Sequence, residues 1–204
     1  MTHVKICGVT RVEDALCAAE LGASALGFVF WPHSPRFIEP IAARAIVAQL
    51  PPFVTPVGVF VNQPVDLVLA TARLARLGAV QLHGEEAPDA YEHMPVRVIN
   101  AMTIRDIDDR EAARAIPPSA MLLLDAYDPI RRGGTGRPVD WALASSISRQ
   151  RPVILSGGLH AGNVAAAIDA VRPYGIDVAS GVEASPGRKD PEKLRALFAA
   201  VQAS

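Results

Sequence analysis

Eight short β-like runs alternate with Ala/Leu-rich helical segments along the 204-residue chain, and this alternation limits the fold more than any other feature of the sequence. The strand candidates are residues 4–6, 25–30, 56–61, 79–82, 96–101, 121–124, 153–155 and 177–179. Helical segments are expected near 10–22, 41–50, 64–78, 87–93, 106–115, from 140, at 163–171 and from 191 onward. Strands separated by helices pair in parallel through right-handed crossovers. Eight units of roughly 25 residues each predict a single α/β domain, a closed (β/α)8 barrel over residues 1–204. The rival is an open doubly wound sheet. It usually needs fewer strands, and no G-x-G-x-x-G follows the first one. No G-x-x-x-x-G-K-[ST] occurs either, so a nucleotide-phosphate loop of that kind is not expected.

Local signals agree with the alternation. Thr10 and Glu13 have capping-box spacing, and Pro191 follows Asp190 as a first-turn proline should. Val65, Val68, Leu69 and Ala72 fall at i, i+3, i+4, i+7 and predict one apolar stripe. Half the residues are hydrophobic, yet no run of about 18 apolar residues exists, so no membrane partner is expected. Residues Met1–Lys5 lack a charged and then apolar leader pattern, so no secretion signal is expected. Twenty basic residues against 21 acidic ones give no basic footprint for nucleic acid. Two cysteines, Cys7 and Cys17, suit a reducing, cytoplasmic setting. Cys17 reads as a small helix-packing residue. The five histidines are scattered and no C-x-x-C occurs, so no metal site is expected.

A barrel of this kind places its chemistry at the C-terminal ends of its strands. Those ends read Lys5-Ile6-Cys7-Gly8, Val61-Asn62, Gln81-Leu82-His83-Gly84, Asp125, Ser156-Gly157-Gly158 and Asp177-Val178-Ala179-Ser180-Gly181. Lys5 and Cys7 share a strand face, as do Gln81 and His83. Inward polar residues are costly unless paired or reactive, and Lys5 and Asp177 are expected partners across the barrel. The turns at Gly157-Gly158 and Ser180-Gly181 follow the last two strands, where barrels commonly hold a phosphate on backbone N–H groups. The long Gly-rich stretch 125–138 reads as a lid beside the mouth. Cys7 and Asp125 are the candidate base and acid, on well-separated strands. The competing readings are a buried structural thiol and an N-capping or loop carboxylate.

These residues resemble the phosphoribosylanthranilate isomerases of tryptophan biosynthesis. The matching stretches are Lys5-Ile6-Cys7-Gly8-Val9-Thr10 with Glu13-Asp14-Ala15, Gly27-Phe28-Val29-Phe30, Ser34-Pro35-Arg36, Val57–Asn62 and Val80–Gly84. Further along come Leu123-Leu124-Asp125, Gly133-Gly134-Thr135-Gly136 with Asp140-Trp141, Leu155–Leu159 with Asn163-Val164, and Ser180-Gly181-Val182-Glu183 with Pro186-Gly187 and Lys189-Asp190. One departure is Val139, where the family often carries an aromatic residue. The resemblance implies an isomerase that performs an Amadori rearrangement of N-(5-phosphoribosyl)anthranilate without a cofactor. It implies that Asp125 is the general acid, Cys7 the general base, Arg36 the holder of the anthranilate carboxylate, and Gly157, Gly158, Ser180 and Gly181 the phosphate cradle. Lys5, Gln81, His83 and Asp177 support them. The partner expected is a phosphorylated small molecule, and the protein itself is a monomer or homodimer. Two alternatives are a histidine-pathway or dual-specificity phosphoribosyl isomerase, which would carry an Asp where Cys7 stands, and a non-catalytic phospho-ligand barrel, which would need neither Cys7 nor Asp125.

Overall fold

The computed structural model describes residues 2–86, 94–126 and 140–204. Eight parallel strands close into a barrel in sequence order: β1 (His3–Cys7), β2 (Ala25–Val29), β3 (Thr55–Phe60), β4 (Ala79–Leu82), β5 (Arg97–Ile104), β6 (Met121–Ala126), β7 (Val153–Leu155) and β8 (Gly175–Val178). The helices described are α1 (Val12–Glu20), α2 (Pro40–Val47), α3 (Val65–Ala75), α4 (Asp109–Ala115), α5 (Trp141–Ser148), α6 (Val164–Val171) and α7 (Pro191–Gln202). The helix expected at 87–93, residues 127–138 of the expected lid and Val139 lie outside the described residues.

The strand pleat sorts the side chains into two cores. Ile6, Leu26, Phe28, Phe60, Val80, Leu82, Leu122, Leu124 and Ile176 point outward and pack with Ala15, Ala18, Ala43, Ile46, Val68, Leu194 and Leu197 of the helices. Alternate residues fill the barrel: Val57, Ala79, Ile99, Leu123 and Ile154 form one layer, and Cys7, Val29 and Val59 another nearer the mouth. Strands buried on both faces read as continuous apolar runs, which is why they were visible in the sequence.

Several local expectations change. The Thr10–Glu13 capping box does not form: Arg11 is the N-cap of α1 with no side-chain cap. Thr10 Oγ1 instead donates to the Gly187 carbonyl, 177 residues away, at 2.5 Å. The buried face of α3 is Val68, Thr71, Ala72 and Ala75, while Val65 at the helix start is 36% exposed. Asp140 and Asp190 do cap α5 and α7, each Oδ1 accepting two backbone N–H groups. β8 runs Gly175–Val178, earlier than expected. After it, Ser180–Val182 forms a 3-10 turn and a hairpin of β9 (Glu183–Ser185) and β10 (Arg188–Lys189) follows, neither of which had been anticipated.

Candidate active site

At the mouth of the barrel, β1 delivers Lys5 and Cys7 to the interior. Lys5 Nζ binds Asp177 Oδ1 at 2.8 Å, with both side chains almost wholly buried. The expected pair forms, but not across the lumen: Lys5 and Asp177 are register partners on the adjacent strands β1 and β8. Strand β2 gives way beside them. Gly27 is the register partner of Cys7, and a Cβ at residue 27 would lie 2.8 Å from Cys7 Sγ and 3.2 Å from Lys5 Nζ. The missing side chain is what lets the thiol and the ammonium share that space.

Charge and burial oppose one another here. Burial pulls Lys5 down, but Asp177 and Cys7 hold its ammonium above the ordinary 10.5. Burial pushes the Cys7 thiol above its ordinary 9.0, and Asp177 adds to that, against the lowering pull of Lys5 and Lys189. The resting site therefore carries Cys7 mainly as a thiol, with two cations beside it.

Around the lumen, β4 and β6 supply a second polar group. Gln81 Nε2 lies 2.8 Å from His83 Nδ1, and His83 Nε2 lies 3.2 Å from Asp125 Oδ2. The His83 ring thus bridges the Gln81 amide and the Asp125 carboxyl, and its tautomer sets which ring nitrogen donates. Asp125 is 4% exposed and stands at the C-terminal end of β6, so it does not cap a helix.

The last two loops meet closely. Gly157 and Gly158 both take positive φ, 86° and 64°. A Cβ at residue 181 would lie 1.9 Å from the Leu159 carbonyl oxygen, so only glycine permits this approach. Asn163 Nδ2 donates to the Gly158 carbonyl at 2.9 Å and fixes that turn. Among the described residues, the N–H groups of Gly157, Gly158 and Gly181 donate to no main-chain acceptor. That geometry suits a small anion bound by backbone N–H groups.

Arg36 reaches the same rim from the loop after β2. Its Nε and Nη2 donate to Glu183 Oε1 and Oε2 at 2.9 and 2.7 Å. Burial alone would raise Glu183, but Arg36 and Lys189 hold its carboxyl below the usual 4.5. Lys189 is lowered by burial despite Glu183. Neither Glu183 nor Lys189 carried a role in the sequence reading. Both sat inside matched stretches, but a buried charge on a short hairpin has no periodic signature.

The chain resembles known proteins along its whole length. A family model described as N-(5'phosphoribosyl)anthranilate (PRA) isomerase matches residues 4–200. An N-(5'-phosphoribosyl)anthranilate isomerase of Citrifermentans bemidjiense is 52% identical over 199 residues, covering 98% of this chain and 96% of that protein. A solved phosphoribosyl anthranilate isomerase in complex with reduced 1-(o-carboxyphenylamino)-1-deoxyribulose 5-phosphate is 41% identical, with TM-score 0.89 and 100% coverage of both chains. A Thermotoga maritima structure, described as mutually generated monomers of a dimeric phosphoribosylanthranilate isomerase, is 39% identical, with TM-score 0.89 and 100% coverage of both.

Proposed function

Because this chain belongs to the N-(5'-phosphoribosyl)anthranilate isomerase family, we propose from its own geometry how its residues divide the work. The protein is an isomerase of tryptophan biosynthesis that converts N-(5'-phosphoribosyl)anthranilate to 1-(2-carboxyphenylamino)-1-deoxyribulose 5-phosphate. The reading treats residues 1–204 as one catalytic unit.

Asp125 gives its proton to the ribose ring oxygen as the C1–O bond breaks, and the anthranilate nitrogen lone pair forms a Schiff-base cation. Cys7, as thiolate, then takes the proton from C2, and that electron pair neutralises the iminium to give an enolamine. Tautomerisation yields the ketone. The order suits the electrostatics: the thiolate is a minor form at rest, and a new cation beside it favours the charged sulfur, as Lys5 and Lys189 already do. Arg36 pairs with the anthranilate carboxylate, and the Gly157–Gly158 and Ser180–Gly181 turns receive the phosphate.

The observation that carries this reading is the delivery of Cys7 and Asp125, by the pleat of β1 and β6, to the interior of one barrel mouth. The test is turnover, followed by loss of substrate fluorescence. Cys7→Ala and Asp125→Asn should each lower kcat by about 10²–10⁴-fold. Near wild-type turnover in either variant removes that residue from the mechanism.

Among the described residues no helix is long and apolar enough to cross a membrane, and we place the enzyme in the reducing cytoplasm, where Cys7 and Cys17 stay free. We also propose a homodimer joined at the N-terminal rim of the barrel. Phe53 is 94% exposed there, beside a cavity of ≈ 500 Å³ lined by Val57, Ala79, Ile99, Met121 and Ile154. Leaving a phenylalanine in water forgoes about 1.5–3 kcal/mol of burial, which an interface recovers. Light scattering should give a dimer for the wild type and a monomer for Phe53→Glu; a monomeric wild type ends this assignment.

A further inference from the structure

The β9–β10 hairpin is stitched to the base strand. Lys189, whose side chain is 0% exposed, sends Nζ to the Cys7 carbonyl at 2.5 Å, the Ala179 carbonyl at 3.3 Å and Glu183 Oε1 at 2.9 Å. Its own N–H donates to buried Asp14 Oδ2 at 2.8 Å. Glu183 also accepts from Gly187 N at 3.2 Å, and its carbonyl accepts from Lys193 Nζ at 2.7 Å. The far end of the chain of contacts is Arg36, held on its Nε/Nη2 edge by both Glu183 oxygens.

We propose that Glu183 and Lys189 are positioning residues for the isomerisation: Lys189 ties the main chain at Cys7 to Glu183, and Glu183 locks the Arg36 guanidinium, so that base and carboxylate anchor form one rigid body. The proposal rests on the roles given above to Cys7 and Arg36. Three ionised groups in a row, all mostly buried, are poor value as a stability device, because apolar replacements of similar volume commonly do as well. They make sense as orientation. A free arginine samples many rotamers, and ordering it at the moment of binding weakens the complex. Glu183 orders it beforehand and occupies only one edge. Nη1 and the second Nη2 hydrogen make the other fork, which a substrate carboxylate meets end-on.

A kinetic cycle of the wild type, Arg36→Met, Glu183→Gln and the double variant tests the Glu183 half. Glu183→Gln should raise KM about tenfold while kcat changes by less than about threefold, because an anchor is misaimed and no proton-transfer group is lost. The KM of the double variant should be no worse than that of Arg36→Met alone within about twofold, since Glu183 reaches the substrate carboxylate only through Arg36. Multiplying effects overturn the positioning role and leave the Arg36 anchor intact. An unchanged KM in Arg36→Met overturns the anchor and this proposal together. For Lys189, Lys189→Met should lower kcat and raise KM, and Lys189→Arg should recover most of both, with melting curves confirming that each variant is folded. A folded Lys189→Met with wild-type kinetics overturns its part, and the Glu183–Arg36 cycle decides the other part on its own.

Discussion

Lys5 and Asp177 are paired side by side at the seam where β8 meets β1, with Lys5 Nζ 2.8 Å from Asp177 Oδ1. The pair places a cation beside Cys7 without leaving it uncompensated. Removing one partner strands the other in a nearly dry interior, so Lys5→Met should cost about 3–5 kcal/mol in urea unfolding. The double variant Lys5→Met/Asp177→Leu should regain most of that stability yet remain slow, because the charge that favours the Cys7 thiolate is gone. A stable double variant with normal turnover would show that Lys5 acts in structure only.

The same pair sets an alkaline limit. The folded Lys5 ammonium is held above 10.5, so its contribution is complete below that pH and fades as pH rises through the folded value. Unfolding free energy should therefore fall on the alkaline side of 10.5 in the wild type and fall less in the Lys5→Met/Asp177→Leu variant, measured by denaturant titration from pH 8 to about 12.

Glu183 sets an acid limit of the opposite sign. Its folded carboxyl lies below 4.5, so the stability it brings is present above 4.5 and is lost as pH falls through the folded value. The stability difference between wild type and Glu183→Gln should be constant from neutral pH down to about 5 and shrink below 4.5. A difference that does not change with acid would mean that the carboxylate is not what holds Arg36.

The phosphate cradle offers a steric test. Gly181→Ala sets a Cβ 1.9 Å from the Leu159 carbonyl oxygen, so the two loops must part. Such overpacking costs about 1–3 kcal/mol of stability. Inorganic phosphate, used as a competitive inhibitor, should bind the variant at least about tenfold more weakly, because the N–H groups no longer converge. Unaltered phosphate inhibition would move the cradle elsewhere.

A thiol held above 9.0 predicts how Cys7 ionises in the free enzyme. The rate of Cys7 alkylation by iodoacetamide, read at that residue by mass spectrometry, should still be climbing at pH 9, since deprotonation is incomplete there. A plateau reached by pH 7 would mean that Cys7 ionises far more readily than its burial allows.

The sequence by itself determined the barrel. Eight doubly buried strands need apolar runs, and the intervening helices need amphipathic stripes, so both periods are written locally. It also determined that Cys7, Gln81, His83 and Asp125 share one mouth, because strand alternation and strand-end position follow from residue order alone. What it could not determine is how most distant residues meet. Thr10 has the spacing of a helix cap but spends its hydroxyl on Gly187. Lys5 and Asp177 could be paired from the sequence, but they sit side by side rather than across the lumen because the first and last strands close a ring. Arg36, Glu183 and Lys189 join strands one, two and eight through contacts between residues 147 and 182 positions apart. Local propensity encodes secondary structure over a few residues, whereas a buried charge is stable only beside its counter-charge, and only the closed barrel brings those two together.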